Sequence, residues 1–573
     1  MMNCCSVIRS IFIVGIICIA SGLHAQQIDI EEIGKTFSEK PLRVGGGIAA
    51  NAVFYDGNDG QNRQPFTYFL SGNINFNLFN QINIPFSFNL TNLGVGYGYP
   101  TLPNRFSIHP TYKWIAGHIG DVAMSFSPYT LNGHMFTGVG VDLTPEGPWK
   151  FSAMYGRLQR GVEYDTANRI IPAAYQRMGY ATKIRYDQDG YYLGMTTFTA
   201  KDNTSSLDWK PDSLNIFPHG NTAFSWEAGI TIMDKLTFSG EYGLSVFTRD
   251  IRTQREGSSL VEKLTANRAS THVYKAMKAE INYQLKKNTL GIGYERIDPE
   301  YRTLGAYYFN NDLENITLRY ARPFYKDKLN LMVTWGIQCD DLNRDKEQSS
   351  KRMVSSANLN YTPNEKFNAS LSYSGFQTHM NIRSQFDYIN NQSPYDNLDT
   401  LDFTQLSQNL SVSSLYNFGK NENRRHSLTA NMSYQQAADR QGEVIKTGSL
   451  SQLYNFNTSY GLLFVPEALQ INAAFNTTFN HIGGEEFLIM GPTLGIRSRI
   501  LRKLITMGLS GSYNVSYTRG DAQSSVTSVR WNAGYTLAKK HTFGANTVWQ
   551  NRSIVAVRST HSLIATISYS MIF

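Results

Sequence analysis

Apolar and polar residues alternate with a period of two along most of the chain. Across residues 81–93, Ile82, Ile84, Phe86, Phe88 and Leu90 take one face, while Asn83, Ser87, Asn89 and Thr91 take the other. The preceding stretch sets Ile74, Phe76 and Leu78 against Asn73, Asn75 and Asn77. Near the end, Ile505, Met507, Leu509, Tyr513, Val515 and Tyr517 oppose Thr506, Ser510, Ser512, Asn514, Ser516 and Thr518. Residues 562–573 are the sharpest case, with Leu563, Ala565, Ile567, Tyr569, Met571 and Phe573 on one side and Ser562, Thr566, Ser568 and Ser570 mostly on the other. A period of two belongs to β-strands, whose successive side chains point to opposite faces. Segments of roughly ten residues with one apolar and one small-polar face are the mark of a membrane-spanning barrel. A soluble sandwich would carry more Lys and Glu on its wet faces. Such segments from Leu42 onward number about 26 (24–26), and an even number places both ends of the barrel on one side.

The connections support the same architecture, because barrels of this class have short turns at the periplasmic end and longer loops outside. Every second connection is short: Asn80-Gln81, residues 145–148, 187–190, Asp234-Lys235, 286–288, 326–328, 363–366, Arg502-Lys503 and 539–541. Those between them are expected to be longer, as at residues 201–222, 249–270, 296–312, 340–351 and 377–400. A soluble β protein has no reason to sort its loops in this way.

Composition narrows the class further. Charged residues are only 17%, aromatics reach 13%, and mean hydropathy is -0.33, so the 573 residues make neither a core-rich globule nor a disordered chain. The one long apolar run, residues 11–20 after Arg9, is too short to span a bilayer and is expected to be a signal peptide cleaved near Ala25. The expected division is therefore a signal peptide at 1–25, a short periplasmic or lumenal segment at 26–41, and the barrel at 42–573. Cys4, Cys5 and Cys18 fall in the signal segment, which leaves Cys339 unpaired. Lipid attachment at Cys18 is disfavoured, since Ile17 stands where a small residue is needed. The net charge of +8 is read as thinly spread, which argues against nucleic acid as a partner.

Alternation also nominates the lining of the lumen. Glu227, Glu241, Lys278, Glu280, Glu295 and Arg319 fall on the inward face near the middle of the chain. Lys183 and Arg185 make a more basic patch beside Asp187, and Arg497, Arg499 and Arg530 line the far end. Opposed charges across a wall create a transverse field that screens solutes, and they also simply pair and solvate a wide lumen. Trp149, Trp335, Tyr361 and Tyr517 are expected in the interfacial girdles. Enzyme motifs are absent: no G-x-S-x-G, no H-E-x-x-H and no P-loop, and the His residues lack metal-ligand spacing. No cofactor and no metal are expected. Gly45-Gly46-Gly47 and Gly94-Val95-Gly96 read as strand glycines. The stretch beginning at Asp56 reads as a hairpin, because Thr67 replaces the Glu that would close a calcium loop. Acidic residues 387–402 read as a solvated loop.

The last segment resembles the carboxy-terminal β-signal of bacterial outer-membrane barrels, in which the closing strand ends in Phe or Trp after alternating apolar residues; Tyr569, Met571 and Phe573 hold those positions. Pro110-Thr111-Tyr112-Lys113-Trp114, residues 124–134 (MSFSPYTLNGH) and residues 151–157 (FSAMYGR) look like segments of large, porin-like outer-membrane barrels of the Bacteroidota. The end of the signal peptide, Ala25-Gln26, is similar to exported proteins of that phylum. The resemblance implies outer-membrane location with both termini periplasmic, contact with outer-membrane lipid, and assembly by the barrel-assembly machinery through the last strand. It brings no catalytic residue and no substrate. The expectation is an all-β, transmembrane, antiparallel up-and-down barrel that passes polar solutes through a lumen gated by long external loops, not an enzyme. The alternative is the barrel subunit of a secretion or surface-assembly complex, plugged by a partner or lipoprotein.

Overall fold

The computed structural model describes residues 41–58, 63–92, 104–164, 173–208, 216–254, 268–307, 310–340, 342–343, 351–375, 404–419, 421–441, 444–445, 450–501, 504–555 and 557–573. The expected signal peptide, residues 26–40, Gly94-Val95-Gly96 and the acidic stretch 387–402 lie outside them. All regular structure among the described residues is β, in 28 segments numbered β1 to β28 along the chain. Two adjustments convert segments to wall strands. β4 (Arg105–Ile108) and β5 (Thr111–Tyr112) are halves of one strand, both pairing with β3 (Ile82–Thr91) on one side and β6 (Ile115–Ser125) on the other. β21 (Val444–Ile445) only extends a hairpin on β20 (Arg424–Gln441). The wall therefore has 26 strands, each antiparallel to its neighbours, within the expected range. Closure comes from β1 (Leu42–Gly57) against β28 (Val557–Ile572), in register from Gly47↔Ile572 to Gly57↔Ser562.

The split between β4 and β5 has a local cause. Pro110 has no N–H to give the ladder, and its carbonyl instead accepts from the Gly117 N–H at 2.7 Å, while the His109 N–H reaches the Pro85 carbonyl at 2.9 Å. This is the stretch in which the strand rhythm of the sequence is weakest.

The outward face carries the apolar half of the alternation. Leu193 (57% exposed), Ile292 (52%), Leu509 (51%) and Ile567 (57%) stand on it. Each such side chain left in water would forfeit roughly 1.5–3 kcal/mol, so a closed wall with an apolar exterior belongs in lipid, where closure also satisfies every backbone group. Cys339 stands in register with Glu314 and Lys351, in the same phase as Trp335 and Ile337. At the short-turn end aromatics cluster, with Trp149 edge-on to Tyr186 at 4.9 Å and Phe543 against Tyr569 at 5.0 Å. Tyr361 joins this girdle through Phe367 at 6.2 Å. Trp335 does not, since it stands mid-strand in β16 (Leu329–Cys339) between Leu318 and Ser355, and Tyr517 stands near the opposite end, one residue before β25 (Ile505–Thr518) ends.

The short turns use left-handed backbone at Asn80 (φ 57°), Asp234 (54°), Lys286 (55°), Lys326 (57°) and Lys539 (58°), as tight hairpins require. The sorting of loop lengths holds up to β19 (Thr404–Phe418) and then fails. Beyond β22 (Ser451–Phe464), Gly483-Gly484 and Arg519-Gly520 close the far-end hairpins, and β27 (His541–Ile554) runs almost directly into β28. The far-end connections are therefore long on one side of the barrel and short on the other.

Candidate functional site: the lumen

A round barrel of 26 strands, at about 4.8 Å spacing and the usual tilt, would measure roughly 50 Å across. Side chains alone cannot fill such a space. The buried cluster of the protein nevertheless lies inside it, and all its members fall between Val122 and Leu313.

Two far-end loops build that cluster. Residues 126–131 follow β6 and precede β7 (Asn132–Leu143). The Ser127 hydroxyl donates to Glu241 of β12 (Leu236–Thr248). Lys183 of β9 (Arg177–Gln188) donates to the Phe126 carbonyl at 2.8 Å, and the Tyr129 hydroxyl donates to Glu295 of β14 (Asn288–Ile297) at 3.2 Å. A segment that touches β9, β12 and β14 together sits on the concave side of the wall. The second loop, described over residues 298–307, lies on the first. Tyr301 donates to the Tyr129 carbonyl at 2.7 Å, Thr303 to the Thr130 carbonyl at 2.7 Å, and Leu131 forms a parallel bridge with Gly305. Asn221 of β11 (Gly220–Ile232) accepts from the Leu304 N–H at 3.1 Å and donates to Ser245 at 2.8 Å, and Ser245 donates to the Arg302 carbonyl at 2.6 Å. The two loops thus form an inward shelf.

Two glycines admit it. A Cβ on Gly243 would stand 2.5 Å from that of Tyr129, and one on Gly305 would collide with the Thr130 carbonyl. Tyr129, Tyr301 and Leu131 are at most 1% exposed. Burial pushes both Tyr hydroxyls upward from their usual range, with Glu295 adding to the effect on Tyr129 and Glu241 to that on Tyr301. Both remain protonated donors.

Below the shelf, the inward charges neutralise one another. Lys150 reaches Asp187 at 2.5 Å, Arg185 bridges Asp187 (2.7 Å) and Glu227 (3.3 Å), and Lys183 meets Glu227 at 2.8 Å. Arg185 also lies 4.0 Å over the Tyr192 ring. Further round, Glu280 of β13 (Thr271–Leu285) holds Lys278 at 2.9 Å and Arg319 of β15 (Leu313–Phe324) at 3.0 Å, the latter through both guanidinium nitrogens. Adding Glu241 and Glu295, five cations face five carboxylates. The structure therefore joins Lys183, Arg185, Glu227, Glu241 and Glu295 under the shelf and sets Lys278, Glu280 and Arg319 beside them. Arg497 and Arg499 of β24 (Glu485–Ile500) and Arg530 of β26 (Asp521–Leu537) share the inward phase but belong to the short-loop side of the barrel.

The alternation missed the residues that hold the shelf, namely Ser127, Tyr129, Asn221, Ser245, Tyr301 and Thr303. Residues 124–134 stood out in the sequence through a resemblance, and 201–222 and 296–312 only as long connections, none of them through a contact. Near the short-turn end, His118 donates to Asp142 at 2.9 Å and shares a 2.9 Å contact with His109. No group of three or more His, Cys, Asp or Glu that could hold a metal ion occurs among the described residues. An apolar groove of about 880 Å³ lies among the exposed side chains of Trp149, Ile184, Leu193, Trp226, Tyr242 and Met277, on the apolar face of the wall.

No family model matches the chain, and no curated protein matches it. Among solved structures, it is similar to the P pilus usher translocation pore at 10% identity, covering 92% of this chain and 99% of that one, with a TM-score of 0.39. It is also similar to the FrpB iron transporter from Neisseria meningitidis (10% identity, 95% and 83% covered, TM-score 0.37) and to OccAB2 of Acinetobacter baumannii (9%, 68% and 97%, TM-score 0.27). At such low overlap the fold rests on the strand registers themselves.

Proposed function

We propose that the protein is an outer-membrane channel for polar solutes, with passage set by the inward shelf of external loops. The observation that carries this reading is the clamping of residues 126–131 and 298–305 onto the inner wall of a barrel too wide to be closed by its own side chains. The shelf narrows one side of the lumen, and the paired charges beneath it make a hydrated wall with little net charge. Both termini are periplasmic in this reading, and Tyr569, Met571 and Phe573 present the last strand to the assembly machinery. Purified protein in planar bilayers is expected to conduct, and Tyr129→Ala with Tyr301→Ala to raise single-channel conductance. An equal conductance in the double variant would remove the shelf from the mechanism.

One observation favours a second reading. No described loop covers the inner wall from β22 to β28, which leaves room for a plugging partner or for residues 26–41. A barrel that is silent until a co-purified subunit is stripped away would favour the plugged complex. Deleting residues 26–41 without effect on conductance would rule out the tail.

A further inference from the structure

The net charge of this protein is not evenly spread. From Phe487 to Phe573 the chain has ten Lys and Arg residues against one acidic residue, Asp521, a net of nine positive charges. The whole chain carries +8, so residues 1–486 together carry one net negative charge. The basic excess lies in residues 487–573, which are β24 beyond its first two residues, Glu485 and Glu486, and the strands and turns that follow to β28.

Alternation decides which side of the wall these cations serve. Leu494 and Ile496 are exposed outward (64% and 46%), as are Val529 and Trp531 on β26, so Arg497, Arg499 and Arg530 face the lumen. None of the three forms an ion pair with a described residue, in contrast to Lys150, Lys183, Arg185, Lys278 and Arg319. The register brings them together. Arg497 stands opposite Gly508, Gly508 opposite Asn532, and Arg530 lies two residues beyond Asn532 on the same face. That places Arg497 and Arg530 about 10 Å apart across two strand spacings and about 7 Å apart along the strand. Two flexible arginines at this separation reach the same small ligand. Thr506, Gly508, Ser510 and Asn532 lie among them, which keeps the wall shallow and lined with hydrogen-bonding groups.

We propose that this wall is an oxyanion strip, and that the solutes favoured by the lumen are small molecules bearing phosphate or carboxylate groups. The proposal rests on reading the lumen as a solute path. A guanidinium presents a planar fork that matches such groups in two parallel hydrogen bonds. Across the lumen the charges are mutually satisfied and add no opposing attraction. A lipid headgroup is excluded by placement, because the arginines face away from the apolar exterior.

The test uses full-length protein and its Arg497→Gln, Arg499→Gln, Arg530→Gln variant, with two readouts. In planar bilayers under a potassium chloride gradient, the native protein is expected to favour chloride, and the variant to lose that preference. In detergent at low salt, equilibrium dialysis with inorganic pyrophosphate is expected to show binding that weakens about tenfold or more in the variant. Loss of both properties supports the strip. A native channel that prefers potassium, native protein that fails to bind pyrophosphate, or a variant unchanged in both assays overturns it. Protein that binds pyrophosphate through these arginines but never conducts would defeat the channel reading and leave the strip standing. Retention of the heat-modifiable band and the β-sheet circular dichroism spectrum by the variant distinguishes loss of charge from loss of fold.

Discussion

The wall from β6 to β16 and the wall from β22 to β28 both line water, and they do so by opposite means. The first carries long far-end loops, folds two of them inward, and cancels its lumenal charges in pairs. The second closes its far-end hairpins in the fewest residues, and its inward Arg497, Arg499 and Arg530 form no ion pair with a described residue, while Arg519 in a hairpin pairs with Glu485. The contrast teaches that an inward charge says little by its sign alone. Glu241 and Glu295 are structural anchors because a hydroxyl from the shelf lands on each. Arg530 has no such neighbour among the described residues.

Substitutions break this comparison to different depths. The largest effect is expected for Gly243→Leu, whose side chain would occupy the place of Tyr129. Overpacking of this kind costs about 1–3 kcal/mol, enough to lift the shelf, so conductance should rise several-fold and protease should cut within residues 126–131. Resistance to cleavage with native conductance would show that the shelf is not held at this point. Next comes Lys183→Glu with Arg185→Glu, which sets two new carboxylates beside Asp187 and Glu227 and removes the donor to the Phe126 carbonyl. Ion selectivity should move toward cations, and an unmoved reversal potential would reject this patch as part of the path.

Asn221→Ala is a smaller change, leaving the buried Leu304 N–H without its acceptor. The cost is about 1–3 kcal/mol, read as faster hydrogen exchange at residues 302–305; unaltered exchange there would contradict the anchoring role. The smallest effect belongs to the second wall. Ser512→Ala, on the lumenal face of β25 between Thr493 and Ser528, should change thermal stability by no more than about 0.5 kcal/mol and leave exchange at the shelf untouched. A larger loss would mean that the two walls are more alike than their contacts indicate.

Much of this fold is legible in the sequence because lipid and water sort every second residue. The strand number, the inward phase of Glu227, Lys278 and Arg319, and the outward phase of Cys339 all follow from that single rule. The shelf obeys no such rule. Tyr301 and Thr303 donate to backbone carbonyls of Tyr129 and Thr130, and a carbonyl acceptor leaves no trace in residue identity. Loop length misleads for a related reason. The sequence contains Gly483-Gly484 and Arg519-Gly520, good tight-turn pairs, but nothing in a turn records which end of the barrel it closes.

The hydrogen bond from Tyr301 to Tyr129 joins residues 172 positions apart. Eight strands, β7 to β14, lie between the two loops, and they must already be curved before the loops can meet. Contacts this remote in sequence are slow to form, since loop closure precedes any gain. Closure of the shelf therefore requires those strands to be in place, and marks that they are. A chain halted part-way through assembly would present both tyrosines to water, where a protease recognises them, while a finished barrel hides them. The same two side chains that hold the shelf together would report that the wall around it is complete.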